Sequence, residues 1–231
     1  MDGSPLSPQV LFSIGPVAID GAVVTTWAIM LLLVACAGWS GRHLQLQPRS
    51  WQVALEGIVL TLRDAIDNVA PGYSGQILPF VGTLWVYLVV ANLAGLIPGV
   101  ESPTGELSTT AALALLVFFS VHWFGIRALG LKTYLRHYLS PSPLLLPFHI
   151  VSEITRTVAL AVRLFGNIMS LEMAALLILL VAGLLVPVPV LMLHVVEALV
   201  QAYIFGMLAL VYIAGGLELQ RAKHVEESKH D

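Results

Sequence analysis

Among the polar side chains in the apolar second half of this chain, seven stand out: Glu153, Arg156, Arg163, Glu172, His194, Glu197 and Gln201. In a membrane helix a central arginine costs about 2.5–3.5 kcal/mol on insertion scales, so such residues pair with one another or mark an ion pathway. A guanidinium keeps its proton at all physiological pH and is a fixed cation, whereas a carboxylate and an imidazole can take up and release protons. Arg156 has Glu153 three residues before it, and a local ion pair near the interface accounts for both. For Glu197 a polar contact between helices is an equally good account. Arg163 stands in Ala-Val-Arg-Leu-Phe-Gly-Asn167 with no carboxylate three or four residues away. Its partner must come from another helix or another chain.

The spacing arranges these groups into two stations. If the last two apolar segments form an antiparallel hairpin turning near Gly183, Arg163 lies level with Gln201 and Glu172 level with His194. Arg163 and Glu172 are separated by about 13 Å along a helix axis and by about half a turn around it. A fixed cation beside an amide thus occupies one depth and face, and a carboxylate beside an imidazole the other.

The elements that hold these residues follow from the apolar runs. Of 231 residues, 58% are hydrophobic and 11% charged, against about 25% charged in a soluble domain. So few charges cannot cover a surface facing water. Spanning helices of about 20 residues are expected over 21–39, 79–97 (interrupted by Asn92), 109–126 (with His122), 147–183 and 188–217, the last after the Val186–Pro189 turn. The runs do not alternate as membrane strands would. Residues 51–70 differ: Trp51, Ala54, Leu55, Ile58, Val59, Leu62, Ile66 and Val69 form a helical stripe opposed by Glu56, Arg63, Asp64 and Asp67. That is the pattern of a helix lying in the membrane interface. The expected fold is an all-α membrane protein, a single polytopic domain over 1–231 with five spans and one interfacial amphipathic helix. The fourth segment would be about 55 Å long as one helix, against a hydrocarbon core of about 30 Å. It is therefore either broken near Thr157 or steeply tilted, and a tilted hairpin of the last two helices is the expectation.

Nine basic residues follow the first, third and fifth spans: Arg42, Arg49, Arg63, Arg127, Lys132, Arg136, Arg221, Lys223 and Lys229. The segments 1–20, 98–108 and 183–189 have none. By the positive-inside rule the 1–20 tail is external and the 218–231 tail cytoplasmic. The net charge of −3 offers nothing to nucleic acid, and the lone Cys36 excludes an internal disulfide and a cysteine metal site. No metal or cofactor is expected, and no Walker-type phosphate loop is present.

With these residues in view, the chain resembles the a subunit of the membrane (Fo) sector of F-type ATP synthases. The resemblance covers about residues 50–217. It rests on Arg163-Leu-Phe-Gly-Asn167 with Glu172 nine residues after the arginine, and on His194 with Gln201-Ala-Tyr-Ile-Phe205. Ala91-Asn92-Leu-Ala-Gly-Leu-Ile-Pro98 and Ser102-Pro-Thr-Gly-Glu-Leu-Ser-Thr109 are further matches. Thr157, Ala159 and Leu171 depart from the family's usual proline, serine and glycine.

The resemblance implies a stator beside a rotating ring of c subunits, with peripheral stalk b subunits, the rest of the complex and the bilayer as partners. It implies that Arg163 separates two half-channels and lowers the pKa of each approaching ring carboxylate. Glu172 and His194 would line the outer path, with Gln201, Asn167 and Glu197 alongside and Arg156, Glu153 and Asn92 as secondary candidates. One charge crossing 100 mV supplies about 2.3 kcal/mol, so several transfers serve each ATP, and this chain does no bond chemistry itself. The absence of a targeting segment favours a bacterial inner membrane. Two rivals remain: a stand-alone ion channel or carrier using the same charges, and an intramembrane serine protease built on Gly72-Tyr-Ser74-Gly75 with His194.

Overall fold

Six α-helices account for nearly all of the described chain, because long runs of apolar residues without alternation satisfy their backbone internally only as helices. The computed structural model describes residues 10–14, 17–43, 45, 50–97, 100, 102–132, 134, 146–182 and 187–227. The helices are α1 Gly21–Arg42, α2 Ser50–Val69, α3 Ser74–Ala94, α4 Leu107–Leu129, α5 Leu146–Ala182 and α6 Pro187–Glu227. A single 3₁₀ turn, Pro103–Gly105, precedes α4. Five helices, all but α2, contain an apolar stretch long enough to cross a membrane. The all-helical membrane architecture expected from composition is the one observed.

Several boundaries differ from the sequence expectation for identifiable reasons. Part of the N-terminal tail pairs as an antiparallel hairpin, β1 Val10–Ile14 with β2 Val17–Asp20; apolar and β-branched residues dominate both strands, and the sequence between them is Gly15-Pro16, a turn-forming pair. The helix of the second span starts at Ser74, not 79, with Pro79 inside it. The Thr83 hydroxyl donates to the Pro79 carbonyl at 2.7 Å, a local bond on the turn that follows the proline. Residues 95–97 fall outside that helix, in a turn. Pro187 and Pro189 open α6 rather than preceding it, because first-turn N–H groups have no intrahelical acceptor and proline loses nothing there. At the other end α6 runs on to Glu227 through good helix formers with no breaker after Gly216. The α5 helix is continuous over 37 residues. No break occurs at Thr157, whose hydroxyl donates to the Glu153 carbonyl at 2.9 Å. The turn near Gly183 and the residues Arg49, Arg136 and Lys229 lie outside the described residues.

The chain forms two compact units. The first comprises Met1–Gln52, Val86–Thr110 and Leu164–Ala202; the second comprises Val53–Trp85, Ala111–Arg163 and Tyr203–Asp231. In the first, α1 packs on β2 and on the 3₁₀ turn, but only Ala22 and Ile29 along it are buried. Its end is tied to the start of α2 by paired bonds between Gln45 and Gln52 and by Trp39 against Trp51.

The second unit holds an apolar core: Ile66 and Ala70 near the end of α2, Ile77, Val81 and Trp85 of α3, Val121 of α4, and Leu210, Ile213 and Ala214 of α6. The amphipathic stripe of α2 is thereby divided. Leu62, Ile66 and Val69 pack into this core, whereas Leu55, Ile58 and Val59 remain exposed. The chain reverses between α2 and α3 at Gly72, and α4 ends at Gly130; both have φ in the left-handed region, which glycine enters without a Cβ clash. Beyond Gly130 the chain returns Tyr134 onto α4. A β-carbon at Gly125 would sit 2.6 Å from the Tyr134 ring, so glycine is required for that seat.

Candidate functional site

The polar side chains singled out by sequence fall into two groups, one in each unit. In the first unit the positioning element is the inward face of α6. His194, Ala198 and Gln201 follow one another at spacings of four and three, which keeps them on one helix face. All three are buried, His194 at 3% and Gln201 at 1% exposure. Glu197, one position before Ala198, is half-buried at the edge of that face.

The Gln201 carboxamide oxygen accepts a hydrogen bond from Asn167 Nδ2 of α5 at 2.7 Å. Asn167 lies one turn along α5 from Arg163, so Gln201 meets the helix one turn beyond the level that spacing assigned to it. The Gln201 Nε2 and the His194 Nε2 are buried without a hydrogen-bond partner among the described residues. A buried polar atom left unpaired costs about 1–3 kcal/mol. Two such atoms on one helix face leave hydrogen-bonding capacity that no described residue takes up. Glu172 lies within α5, and its side chain falls outside the described residues.

Asn92 of α3 reaches the same helix from another side. Its Nδ2 donates to the Ala198 carbonyl at 3.0 Å, and its Oδ1 accepts from the Thr104 hydroxyl at 2.8 Å. Thr104 in turn contacts the Ser102 hydroxyl at 3.0 Å. Sequence reasoning noted the Ser102–Thr109 motif but assigned no role to Ser102 or Thr104. The available signal was a serine and a threonine two residues apart around a proline, in a short connection between apolar helices.

The second group lies in the second unit. Arg156 has Glu153 at 3.6 Å and sits 4.6 Å from the centre of the Tyr212 ring, so a carboxylate and an aromatic face both neutralise it. The local pair expected from the i, i+3 spacing is present, and the ring is an addition that spacing could not reveal. Arg163 is different. It is exposed on α5, within a stripe of exposed residues formed by Val151, Thr155, Val158, Ala159 and Val162. No ion pair or hydrogen bond engages it among the described residues. Ser74, the serine of the protease reading, is the buried first residue of α3.

A family model described as ATP synthase A chain matches residues 23–214. The chain belongs to that family. It is 63% identical over 95% of its length to ATP synthase subunit a 2 of Pelobacter propionicus, covering 98% of that protein. It is 63% identical over 92% of its length to ATP synthase subunit a 1 of Hahella chejuensis, covering 91% of it. It is also 56% identical over 94% of its length to ATP synthase subunit a of Legionella pneumophila, covering 95% of it. The resemblance read from the arginine, histidine and glutamine motifs is thus borne out. The chain is a multi-pass integral membrane protein of the Fo sector of F-type ATP synthases.

Proposed function

We propose that this chain is the stator of the Fo sector, providing two half-channels that carry protons to and from the carboxylates of a rotating c ring. The observation that carries this reading is Arg163. A guanidinium exposed on a long apolar helix, with no counter-charge among the described residues, needs an anion from another chain. A ring carboxylate arriving there loses its proton, because the adjacent cation favours the ionised form. The same cation cannot relay a proton, so it blocks a direct leak between the half-channels.

His194, Glu172 and Glu197 would supply titratable groups to the outer path, with Gln201 and Asn167 lining its inner end. The unpaired nitrogens of His194 and Gln201 support that assignment. Arg156, neutralised by Glu153 and Tyr212, serves structure rather than transfer. The peripheral stalk b subunits would be further partners. The exposed Leu55, Ile58 and Val59 of α2 would lie against lipid at the interface, with Arg63 and Asp67 facing water. An unbroken α5 of 37 residues fits the bilayer only with a steep tilt.

The discriminating experiment is purification from bacterial membranes. The chain should co-purify with a ring of small hairpin proteins and with the stalk, whereas recovery as a functional channel without either would overturn the stator reading. Orientation has its own test. A cysteine placed in the 98–108 loop should react with an impermeant thiol reagent only from outside. Labelling from the cytoplasm would reverse the assigned topology, which places the N-terminus outside and the C-terminus inside the inner membrane.

A further inference from the structure

The hydroxyls of Ser102 and Thr104 and the amide of Asn92 form a buried chain whose donor directions can be assigned. The Ala198 carbonyl can only accept, so it fixes which end of the Asn92 amide faces it: Nδ2 donates to it at 3.0 Å. Asn92 Oδ1 then faces Thr104, and the single hydroxyl proton of Thr104 is spent on that oxygen at 2.8 Å. In the 3.0 Å contact between Ser102 and Thr104, Ser102 must therefore be the donor. The chain runs one way, from Ser102 through Thr104 and Asn92 to the carbonyl of Ala198. Asn92 and Thr104 are fully buried and Ser102 is 6% exposed.

Two features set this chain apart from an ion path. A carboxamide accepts on oxygen and donates from nitrogen, so it passes on hydrogen-bond order but not a proton. The chain also terminates on a helix carbonyl, which has no proton to give. Its construction is that of a fastening. Gly95 admits it: a β-carbon there would stand 2.8 Å from Ser102 Cβ, so glycine lets the serine seat against the turn that follows α3, three residues beyond Asn92. The fastened residue, Ala198, sits four positions after His194 and three before Gln201, on their face of α6.

We infer that Ser102, Thr104 and Asn92 are positioning residues: they hold α6 at a fixed depth and rotation, and so deliver Gln201 to Asn167 and aim His194. This rests on the proposed function for its consequence in transport, but not for its geometry. It also moves Asn92 out of the ion path and into the support of that path.

The test uses the assembled complex in inverted membrane vesicles, with Cys36→Ser as background. Thr104→Val keeps the shape of the side chain but strands Asn92 Oδ1, while Thr104→Ser keeps the donor. Geometry is read by a short bis-maleimide, which adds to both thiols and links Asn167→Cys to Gln201→Cys, and transport by ATP-driven proton pumping in the same variants without those two cysteines. An unpaired buried acceptor corresponds to about a fivefold or larger change in population. Thr104→Val should lower both cross-linking and pumping by about that factor, and Thr104→Ser should restore both. If Thr104→Val prevents assembly, Ser102→Ala, which removes only the outermost donor, is read in the same way. Unchanged cross-linking in the valine variant would overturn the fastening whatever pumping does, as would failure of serine to restore it. Lost cross-linking with full pumping would uphold the fastening and remove His194 and Gln201 from the ion path.

Discussion

Replacing Arg163 with alanine is expected to abolish ATP-driven proton pumping and coupled synthesis while leaving the complex assembled. The side chain is exposed and makes no ion pair or hydrogen bond among the described residues. Exposed positions of that kind change stability by about 0.5 kcal/mol or less. What disappears is the fixed charge that a ring carboxylate meets, and removal of one preorganised electrostatic group costs about a hundredfold or more in rate. Arg163→Lys should fall between the two, because an ammonium in an apolar setting can lose its proton and an arginine cannot. Arg156→Ala gives the contrast. It removes a cation already neutralised by Glu153 at 3.6 Å and by the Tyr212 ring, so pumping should fall by only about fivefold or less. The readout is acidification of inverted vesicles, with the amount of assembled complex measured in parallel. Full pumping by the Arg163→Ala enzyme would remove the arginine from its role.

The largest structural effect is expected at Gly206. This α6 residue lies against Trp85 of α3, and a β-carbon there would overlap the indole at Nε1, Cδ1 and Cε2. The ring cannot retreat without loss. Trp85 is 4% exposed within the core of the second unit, its Nε1 donates to the Tyr203 carbonyl at 3.3 Å, and it stacks on the Tyr203 ring at an interplanar angle of 8°. Overpacking a well-filled site costs about 1–3 kcal/mol, before the lost hydrogen bond is counted. Gly206→Ala should therefore reduce the amount of this subunit in membranes by about tenfold or more. Adding Trp85→Phe, which substitutes a smaller ring, should recover part of it. The effect is one of assembly: any complex that does form should pump normally per assembled unit. Normal membrane levels of the alanine variant would show that the indole has another seat.

Much of this protein follows from one-dimensional information. Too few charges and five long apolar runs demand helices across a membrane, because hydrocarbon leaves the backbone no other way to satisfy its hydrogen bonds. The solitude of Arg163 was equally legible, since a missing carboxylate at three or four residues is a property of the string alone. Glu153 beside Arg156 could be read for the same reason: partners within one helical turn are set by helix geometry. Contacts between distant segments could not be read this way. That α5 continues through Thr157 and that Gln201 meets Asn167 rather than the level of Arg163 depend on how helices settle against one another. The stripe of α2 shows the limit most clearly. Its periodicity is uniform, yet half of it enters a core and half stays exposed, because periodicity gives a face but not what covers it. The fastening at Ala198 lay furthest from view. It joins α3, a 3₁₀ turn and α6 through side chains up to 106 residues apart, and it ends on a backbone carbonyl, a group that every residue carries and that only tertiary structure can single out.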